Sequence, residues 1–321
     1  MGAILFVADL DAREHRRWLD ELRAALPEER WLDARARRDA GTDDARIDDA
    51  GIDIAVVANP PPGALAGLPH LKLVQSLWAG VERLLADTSL PAHVPLARMV
   101  DPAMNAAMAE TALWAVLALH RGFFAYARRQ LDREWRAHAQ RRADEVAVAV
   151  LGLGQMGGTV ARRLAANGYR VHGWSTRPAT VEGVHAHHGA DALQQLLASC
   201  EIVLNVLPLT DATRRLFDAA TFSRMRAGAS FVNLARGAHV VEPDLLAALD
   251  AGRLRHAVLD VFATEPLPRE HRFWTHPRVT VLPHAAAQTD PRSASQVVAR
   301  NVRALRAGRA VEHLVDRARG Y

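Results

Sequence analysis

The sequence predicts an α/β protein made of two parallel-sheet domains of the flavodoxin or Rossmann type, which flank an active-site cleft. Three observations support this fold. The 321 residues exceed what one ordinary hydrophobic core accommodates. Short apolar runs typical of buried strands alternate with segments in which apolar residues recur at helical spacing. A glycine-rich loop between Gly152 and Gly157 follows one of these strand-like runs and opens a helical segment.

Composition and charge are those of an ordinary globular protein. The net charge is +4, from 40 basic and 36 acidic residues, and no long run has a single sign, so nothing indicates a nucleic acid partner. The longest apolar stretch, Ala112 to Leu119, is much shorter than the ~20 residues that span a bilayer, and no targeting segment is recognisable. We therefore expect a cytoplasmic protein with no membrane partner. The single cysteine, Cys200, precedes an apolar run and is expected to be a buried structural thiol.

The first hundred residues alternate between strand-like and helix-like patterns. Strands are predicted over the apolar runs Ala3 to Ala8, Ile52 to Ala58 and Leu71 to Leu77. Pro102 to Arg128 is predicted to form one long connecting helix, because apolar residues recur along it and no proline follows Pro102. We assign residues 1–100 to a substrate domain, which the C-terminal segment 291–321 completes.

A second alternating block follows, and we assign residues 101–290 to a dinucleotide-binding Rossmann domain. A polar and charged stretch, Asp132 to Glu145, is interpreted as an exposed excursion. A helix is predicted to open at Glu242-Pro243, where proline occupies the first helical position. The strands predicted in this block are Val146 to Leu151, Tyr169 to Trp174, Ile202 to Leu207, Ser230 to Leu234, Ala257 to Val261 and Val279 to Leu282.

The glycine loop has the spacing G-x-G-x-x-G at Gly152, Gly154 and Gly157, with Gln155 and Met156 before the last glycine. Such glycines permit a tight turn, close approach of the backbone to a pyrophosphate, and close packing of helix on sheet. The N–H groups at the start of the helix then face the anion. The sequence therefore predicts a dinucleotide site, against the alternative of a glycine-rich turn that binds nothing.

The residues after the next strand bear on the choice of cofactor. An NAD site would place an acidic residue there to bind the ribose hydroxyls, but no carboxylate occurs before Glu182. Ser175 offers a neutral hydrogen-bonding group, and Arg177 can pair with a 2′-phosphate. We therefore expect a preference for NADP(H), with NAD(H) still possible. The alternative is that Arg177 is an ordinary solvated surface residue.

Three later segments each place an ionisable side chain beyond the end of a predicted strand, where open α/β sheets bind ligands. They carry Arg236, Glu265 and His284. Taken singly, Arg236 could form an interdomain salt bridge, and His284 could be a hydrogen-bonded histidine in a turn. Their occurrence together behind a dinucleotide loop favours a catalytic set.

With these motifs in this order, the chain resembles the D-2-hydroxyacid dehydrogenase family over essentially its whole length. Within the family it resembles the branch of bacterial glyoxylate/hydroxypyruvate reductase A. The resemblance rests on the glycine loop and on residues 233–249, 259–268 and 315–321. It implies reduction of a small 2-oxo acid, such as glyoxylate or hydroxypyruvate, with NADPH as the hydride donor.

The resemblance also implies a role for each residue. Arg236 would bind the substrate carboxylate and polarise the keto oxygen, and His284 would protonate that oxygen as a general acid. Glu265 would pair with His284 and favour its charged form. Asp260 would contact the nicotinamide carboxamide. Further cofactor contacts are expected from Leu207, Pro208 and Ala235.

In the first domain, the loop Trp78, Ala79, Gly80 and Val81 matches the family's loop whose backbone N–H groups hold the substrate carboxylate. Trp78 stands where we expect a small residue in this branch, so it would narrow the pocket and puts the identity of the substrate in question.

The resemblance further implies a homodimer through the long helix. We predict that Trp135 of the excursion closes the partner's substrate pocket, against the alternative that it packs on its own subunit.

Three other histidines, His185, His187 and His188, cluster without an acidic or cysteine partner at a metal-binding spacing. We expect a loop there and no metal.

Two other functions stay open at this stage. One is an NAD-linked dehydrogenase for a larger 2-oxo acid. The other is a non-catalytic regulator that senses NAD(P) on the same fold, against which the intact set of Arg236, Glu265 and His284 argues.

Overall fold

The computed structural model describes residues 2–39 and 51–321. The chain divides into two compact units, Met1–Ala103 with Thr289–Tyr321, and Met104–Gln288. Each unit is an α/β layer structure around a parallel sheet, which confirms the predicted fold class. The assignment of the first unit to substrate binding stays a prediction.

The first unit is built around two strands, Ala3–Ala8 and Ile52–Ala58, whose side chains are all buried, as expected for the centre of a parallel sheet covered by helices. Its strands are β1 (Ala3–Ala8), β2 (Arg30–Asp33), β3 (Ile52–Ala58), β4 (Leu73–Ser76) and β5 (Leu96–Ala97), and its first helices are α1 (Ala12–Ala25), α2 (Ala34–Asp39) and α3 (Glu82–Ala86). Within the described residues the strand order is β2-β1-β3-β4-β5, with every pairing parallel. Helix α1 begins at Asp11, whose carboxylate accepts the N–H groups of Arg13 and Glu14.

The second unit contains a longer parallel sheet. Its strands are β6 (Ala147–Leu151), β7 (Arg170–Ser175), β8 (His185–His188), β9 (Ile202–Asn205), β10 (Ala229–Asn233), β11 (Leu254–Leu259) and β12 (Val279–Val281). Its helices are α4 (Pro102–Arg121), α5 (Phe123–Leu131), α6 (Gln155–Ala166), α7 (Ala190–Ser199), α8 (Ala219–Arg224) and α9 (Glu242–Asp250). Cys200 is buried between α7 and β9, and burial raises the pKa of its thiol to about 11, so the prediction of a structural thiol is confirmed.

The strand order explains where this unit can bind a ligand. Within the described part of the chain the order is β12-β11-β10-β9-β6-β7-β8, so the chain starts in the middle and builds outward in both directions. The direction reverses between β6 and β9, and such a switch point leaves a crevice at the carboxyl ends of the strands. The loop after β6 is the glycine loop, and the segment after β9 contains Leu207 and Pro208.

Helix α4 corrects one prediction. The helix expected from Pro102 to Arg128 is interrupted at Gly122, whose φ of +72° is left-handed, and a separate helix, α5, starts after it. By length and composition α4 could cross a membrane, but half of its most apolar stretch is buried inside the chain. Its buried residues, including Ala112 and Val116, pack against apolar residues of β6, as the core helix of a globular domain does.

The histidine cluster corrects another prediction. His185, His187 and His188 lie in the edge strand β8 rather than in a loop, and β8 pairs with β7 in parallel. His172 of β7 stacks on His185, and its Nδ1 lies 3.2 Å from Nε2 of His187. The short run of histidines had no apolar alternation by which a strand could be recognised.

The chain returns to the first unit with helix α10 (Pro291–Arg306), which packs along α1. Near its end Arg306 donates to Glu29, with Nη2 2.8 Å from Oε2, and to Asp53 of β3. The side chains of Glu29 and Asp53 are 2% and 9% exposed, so the Arg306 guanidinium balances two negative charges that water reaches poorly. The hydrogen bond to Glu29 raises the pKa of Arg306 above its ordinary value.

We expect Arg306→Met to lower the free energy of unfolding by about 3–5 kcal/mol, because it leaves two buried carboxylates without their counter-charge. Urea-induced unfolding followed by circular dichroism measures the change. Arg303→Met is the matched control: its partner Glu28 is 42% exposed, and loss of such a solvent-screened surface pair changes the free energy of unfolding little. Equal effects of the two substitutions would contradict this account of α10.

Candidate active site

The three glycines of the loop after β6 have different structural roles. A Cβ added at Gly152, whose φ is +106°, would lie 2.8 Å from the carbonyl oxygen of Val206, and one added at Gly157 would lie 1.7 Å from the carbonyl oxygen of Gly152. Both positions therefore need glycine for the turn and for packing. A Cβ at Gly154 would meet no atom within 4 Å. The backbone at Gly154 faces open space, as a surface that receives a ligand should.

Helix α6 begins at this open surface. Its N-cap Gly154 provides no side-chain hydrogen bond, and no acidic residue lies in the first turn. The first backbone N–H groups of the helix, at Gln155 and Met156, therefore face the same space with the positive end of the helix dipole behind them. The residues present fit a phosphate or diphosphate group.

At the end of β7, Ser175 and Arg177 close a small turn. Ser175 donates its hydroxyl to the carbonyl oxygen of Arg177 at 2.6 Å. The Arg177 side chain is exposed and makes no hydrogen bond or ion pair within the described residues, so its guanidinium is available to an anion. No carboxylate lies between this turn and Glu182.

Beyond β11 and β12, the structure brings Glu265 and His284 together. Nδ1 of His284 lies 2.7 Å from Oε2 of Glu265, and the other carboxylate oxygen accepts the N–H of Phe262 at 2.9 Å. The carboxylate is thus fixed by a backbone bond, and the imidazole is fixed by the carboxylate. Because Nδ1 is committed to Glu265, Nε2 of His284 is the nitrogen that can act on a ligand.

The charges of this pair reinforce each other. The hydrogen bond to Glu265 raises the pKa of His284, and this outweighs burial and the positive charge of Arg236, which lower it. Burial alone would raise the pKa of Glu265, but the hydrogen bond from His284 and the other favourable contacts hold it below its ordinary value. The imidazole consequently stays protonated to a higher pH than a free histidine.

Asp260 anchors the loop that carries His284. Its carboxylate oxygens accept the N–H groups of Ala285 and Ala286, at 2.7 and 3.1 Å, and its carbonyl oxygen accepts the N–H of His284 at 2.8 Å. His284 itself has a left-handed φ of +53°, uncommon for a residue with a side chain, and these bonds hold it there. Burial raises the pKa of Asp260 despite the two backbone bonds. The predicted contact of Asp260 with a nicotinamide amide stays a prediction.

Arg236 lies close to this pair, because the next residue is in contact with the Glu265 segment. A Cβ added at Gly237 would lie 1.9 Å from the carbonyl carbon of Phe262, so only glycine permits this approach of the two loops. Nη1 of Arg236 donates to the carbonyl oxygen of Ala235 at 2.6 Å. The structure therefore gathers Arg236, Glu265 and His284 at one edge of the sheet.

Sequence reasoning missed a buried polar group beneath Arg236. Asn205, Asn233 and His239 have no exposed surface and are joined by hydrogen bonds. They also bond the backbone at Leu207 and Pro208. The available signal was an asparagine at the end of each of two apolar strands, where a buried amide requires partners.

The predicted carboxylate loop of the first unit follows β4. The N–H of Trp78 donates to Oγ of Ser76 at 3.0 Å, whereas the N–H groups of Ala79, Gly80 and Val81 donate to no acceptor within the described residues. Trp78 itself is partly buried, and its ring packs edge-to-face on Trp18 with centroids 6.0 Å apart.

The exposure of Trp135 contradicts the alternative that this side chain packs on its own subunit. Its side chain is 103% exposed, so it contacts essentially nothing in its own chain. The excursion around it is nevertheless tied down, because Arg129 donates to the carbonyl oxygen of Arg136 at 2.6 Å and Tyr126 stacks on His138. The expectation of an exposed excursion is confirmed.

The remaining titratable residues form no obvious metal centre. In the described parts of the chain, no group of three or more His, Cys, Asp or Glu side chains could hold a metal ion.

Comparison with known proteins places this arrangement in a family. Residues 113–286 match the model of the D-isomer specific 2-hydroxyacid dehydrogenase NAD-binding domain. The chain belongs to the D-isomer specific 2-hydroxyacid dehydrogenase family. As a 2-hydroxyacid dehydrogenase it is an oxidoreductase, and the switch-point crevice of its second unit is a dinucleotide-binding crevice.

Three relatives show the extent of the similarity. The dehydrogenase is 42% identical over 279 residues to glyoxylate/hydroxypyruvate reductase A of Serratia proteamaculans (strain 568). The aligned residues cover 85% of this chain and 89% of that protein. It is 40% identical to a D-isomer specific 2-hydroxyacid dehydrogenase of Xanthobacter autotrophicus Py2 in complex with NADPH and MES, with a TM-score of 0.93 and 100% and 99% of the chains covered. It is 35% identical to the NADPH-dependent glyoxylate/hydroxypyruvate reductase of Sinorhizobium meliloti in complex with NADP and sulfate, with a TM-score of 0.90 and 100% of both chains covered.

We expect Glu265→Gln to lower the pKa of His284, because the amide cannot provide the negative charge that favours imidazolium. A pH titration of the histidine ring signals by NMR measures this, with the wild-type value lying above the ordinary 6.5. Glu242→Gln is the control, since Glu242 bonds the neighbouring N–H of Ala263 but pairs with His271. An unchanged His284 pKa in Glu265→Gln would show that the pair is not electrostatically coupled.

Proposed function

We propose that the dehydrogenase reduces a small 2-oxo acid, glyoxylate or hydroxypyruvate, to the corresponding 2-hydroxy acid with NADPH. The observation that carries the proposal is the hydrogen bond of 2.7 Å between Glu265 and His284, at the same sheet edge as Arg236 and the glycine loop. The names of the Serratia and Sinorhizobium relatives support this substrate class, and the NADPH complex of the Xanthobacter relative supports the cofactor.

In this proposal the side chains divide the work on the substrate. Arg236 binds the carboxylate and draws electron density toward the keto oxygen through its delocalised positive charge. His284 gives the proton on Nε2 to that oxygen as negative charge develops there, while Nδ1 keeps its bond to Glu265. The N–H groups of Ala79, Gly80 and Val81 remain the predicted carboxylate donors of the first unit.

The cofactor residues follow from the same edge of the sheet. Bound NADPH would supply the hydride. The backbone of Gly154, Gln155 and Met156 would hold its diphosphate, and Arg177 would pair with its 2′-phosphate. Asp260, Leu207, Pro208 and Ala235 remain predicted contacts of the nicotinamide half.

A panel of 2-oxo acids assayed with NADPH and NADH tests the proposal. We expect the largest kcat/KM with NADPH and either glyoxylate or hydroxypyruvate. A preference for NADH and a bulky substrate such as phenylpyruvate would instead support the NAD-linked alternative. NADPH binding without turnover of any 2-oxo acid would support a regulator.

We expect Arg177→Asp to weaken NADPH binding by on the order of 10- to 100-fold and to change NADH binding little, because it replaces a phosphate partner with a repelling charge. Fluorescence titration of both cofactors measures the ratio. Arg170→Asp, at the opposite end of β7, is the control. If the ratio of the two affinities stays unchanged in Arg177→Asp, the 2′-phosphate assignment is wrong.

We also propose a homodimer that uses α4, α5 and the excursion. Apolar side chains are exposed on these segments, among them Phe123 at 53% and Leu131 at 83%. Trp135 lies beyond them, held by the tethered excursion without a contact of its own. Exposed apolar residues grouped in this way suit a self-complementary interface. In the dimer, Trp135 would close the substrate pocket of the partner subunit.

We expect Trp135→Ala to raise the dimer dissociation constant by ~30-fold or more, the effect of losing a hot-spot tryptophan, and to raise KM for hydroxypyruvate. Analytical ultracentrifugation and steady-state kinetics measure the two effects. Arg133→Ala is the control in the same excursion. Unchanged association and unchanged kinetics in Trp135→Ala would end this proposal.

A further inference from the structure

Beneath Arg236, a set of buried hydrogen bonds joins two neighbouring strands. Asn205 ends β9 and Asn233 ends β10, and the two asparagines face each other in the sheet register. His239 lies in the 3₁₀ turn Gly237–His239, for which Arg236 is the N-cap. All three side chains of the set are fully buried, so each polar atom must find its partner inside the protein.

The partners of His239 define which ring nitrogen carries the proton. Nε2 lies 3.2 Å from the carbonyl oxygen of Pro208, which can only accept, so Nε2 donates. Nδ1 lies 3.1 Å from Nδ2 of Asn205, which can only donate, so Nδ1 accepts. His239 is therefore the neutral tautomer with its proton on Nε2.

The same bonds continue in two directions from Asn205. Its amide nitrogen donates to Oδ1 of Asn233 at 3.0 Å, and its oxygen accepts the N–H of Leu207 at 3.2 Å. Asn233 in turn accepts the N–H of Ala235 at 3.2 Å and donates to the carbonyl oxygen of Arg236 at 3.0 Å. The set thus fixes the backbone after β9 at the N–H of Leu207. It also fixes the backbone at Arg236, through the N–H of Ala235 and the carbonyl oxygen of Arg236.

We propose that His239 is a positioning residue that couples the cofactor side of the site, at Leu207 and Pro208, to the substrate side, at Arg236. The proposal rests on the proposed function, which gives these two sides their roles. His239 has no exposed surface. It acts through the donor bond to Pro208 and through the acceptor bond from Asn205, and these two bonds can be removed one at a time.

Two conservative variants separate the bonds. His239→Gln keeps a donor at the place of Nε2 but has no acceptor at the place of Nδ1, so the substrate side loosens. His239→Asn keeps an acceptor at the place of Nδ1 but is too short to reach Pro208, so the cofactor side loosens. If His239 had a purely structural role, either variant would impair catalysis and NADPH binding together.

We expect His239→Gln to lower kcat for glyoxylate on the order of tenfold or more, with the NADPH dissociation constant changed by less than about twofold. We expect His239→Asn to raise the NADPH dissociation constant by about fivefold or more, with kcat changed by less than about twofold. His276→Gln is the control, because His276 also uses both ring nitrogens but lies before β12, at the opposite edge of the sheet. Parallel losses of kcat and affinity in both variants, or no change in either, would overturn the coupling.

A second measurement uses the wild-type protein and does not depend on how the variants fold. Neutron diffraction from crystals exchanged into D₂O should show a deuteron on Nε2 of His239 and none on Nδ1. A deuteron on Nδ1 would overturn the assigned bonds. Wild-type protein that binds NADPH but reduces neither glyoxylate nor hydroxypyruvate would contradict the proposed function, while the neutron result and the NADPH affinity of His239→Asn would still decide the coupling.

Discussion

The parallel direction of the strands in the second unit determines where its chemistry can occur. Every strand there runs the same way, so all the carboxyl ends lie along one edge. The strand order reverses between β6 and β9, which opens a crevice at that edge and leaves the start of α6 facing it. Arg236, Glu265 and His284 follow β10, β11 and β12 and therefore meet beside the crevice, although nearly fifty residues separate the first from the last.

Two carboxylates near His284 have opposite environments and, we argue, different tasks. Asp260 is buried and bonds backbone N–H groups, so it fixes the position of the His284 loop. Glu265 is more exposed and bonds the imidazole directly, so it raises the pKa of His284 and orients the ring. The backbone position of the His284 loop thus depends mainly on Asp260, whereas the largest effect on the charge of the His284 ring comes from Glu265.

The sequence allowed good prediction where local chemistry determines local structure. The glycine spacing predicted the turn after β6 and the start of α6, and Glu242-Pro243 predicted the start of α9. The ionisable residues after strands were identified because parallel strands share one edge. The glycine loop and these ionisable residues also indicated the D-2-hydroxyacid dehydrogenase family, which the match of residues 113–286 to the family model confirms.

The features that were missed depend on contacts distant in sequence. Gly122 ends α4 by adopting a left-handed φ, which the apolar pattern alone does not reveal. The strand β8 consists largely of histidines and exists because β7 offers it a pairing edge. The bonds of His239 join segments about thirty residues apart, so no spacing in the sequence indicates them.

The central claim is that His284 is the proton donor of a reduction whose cofactor binds elsewhere on the same edge. The most direct measurement is His284→Ala, assayed for reduction of glyoxylate and for NADPH binding by fluorescence titration. We expect kcat to fall on the order of 10²- to 10⁴-fold, the contribution typical of a general acid, while the NADPH dissociation constant stays nearly unchanged. Near-normal turnover in His284→Ala would contradict the account, since the proton would then come from another group.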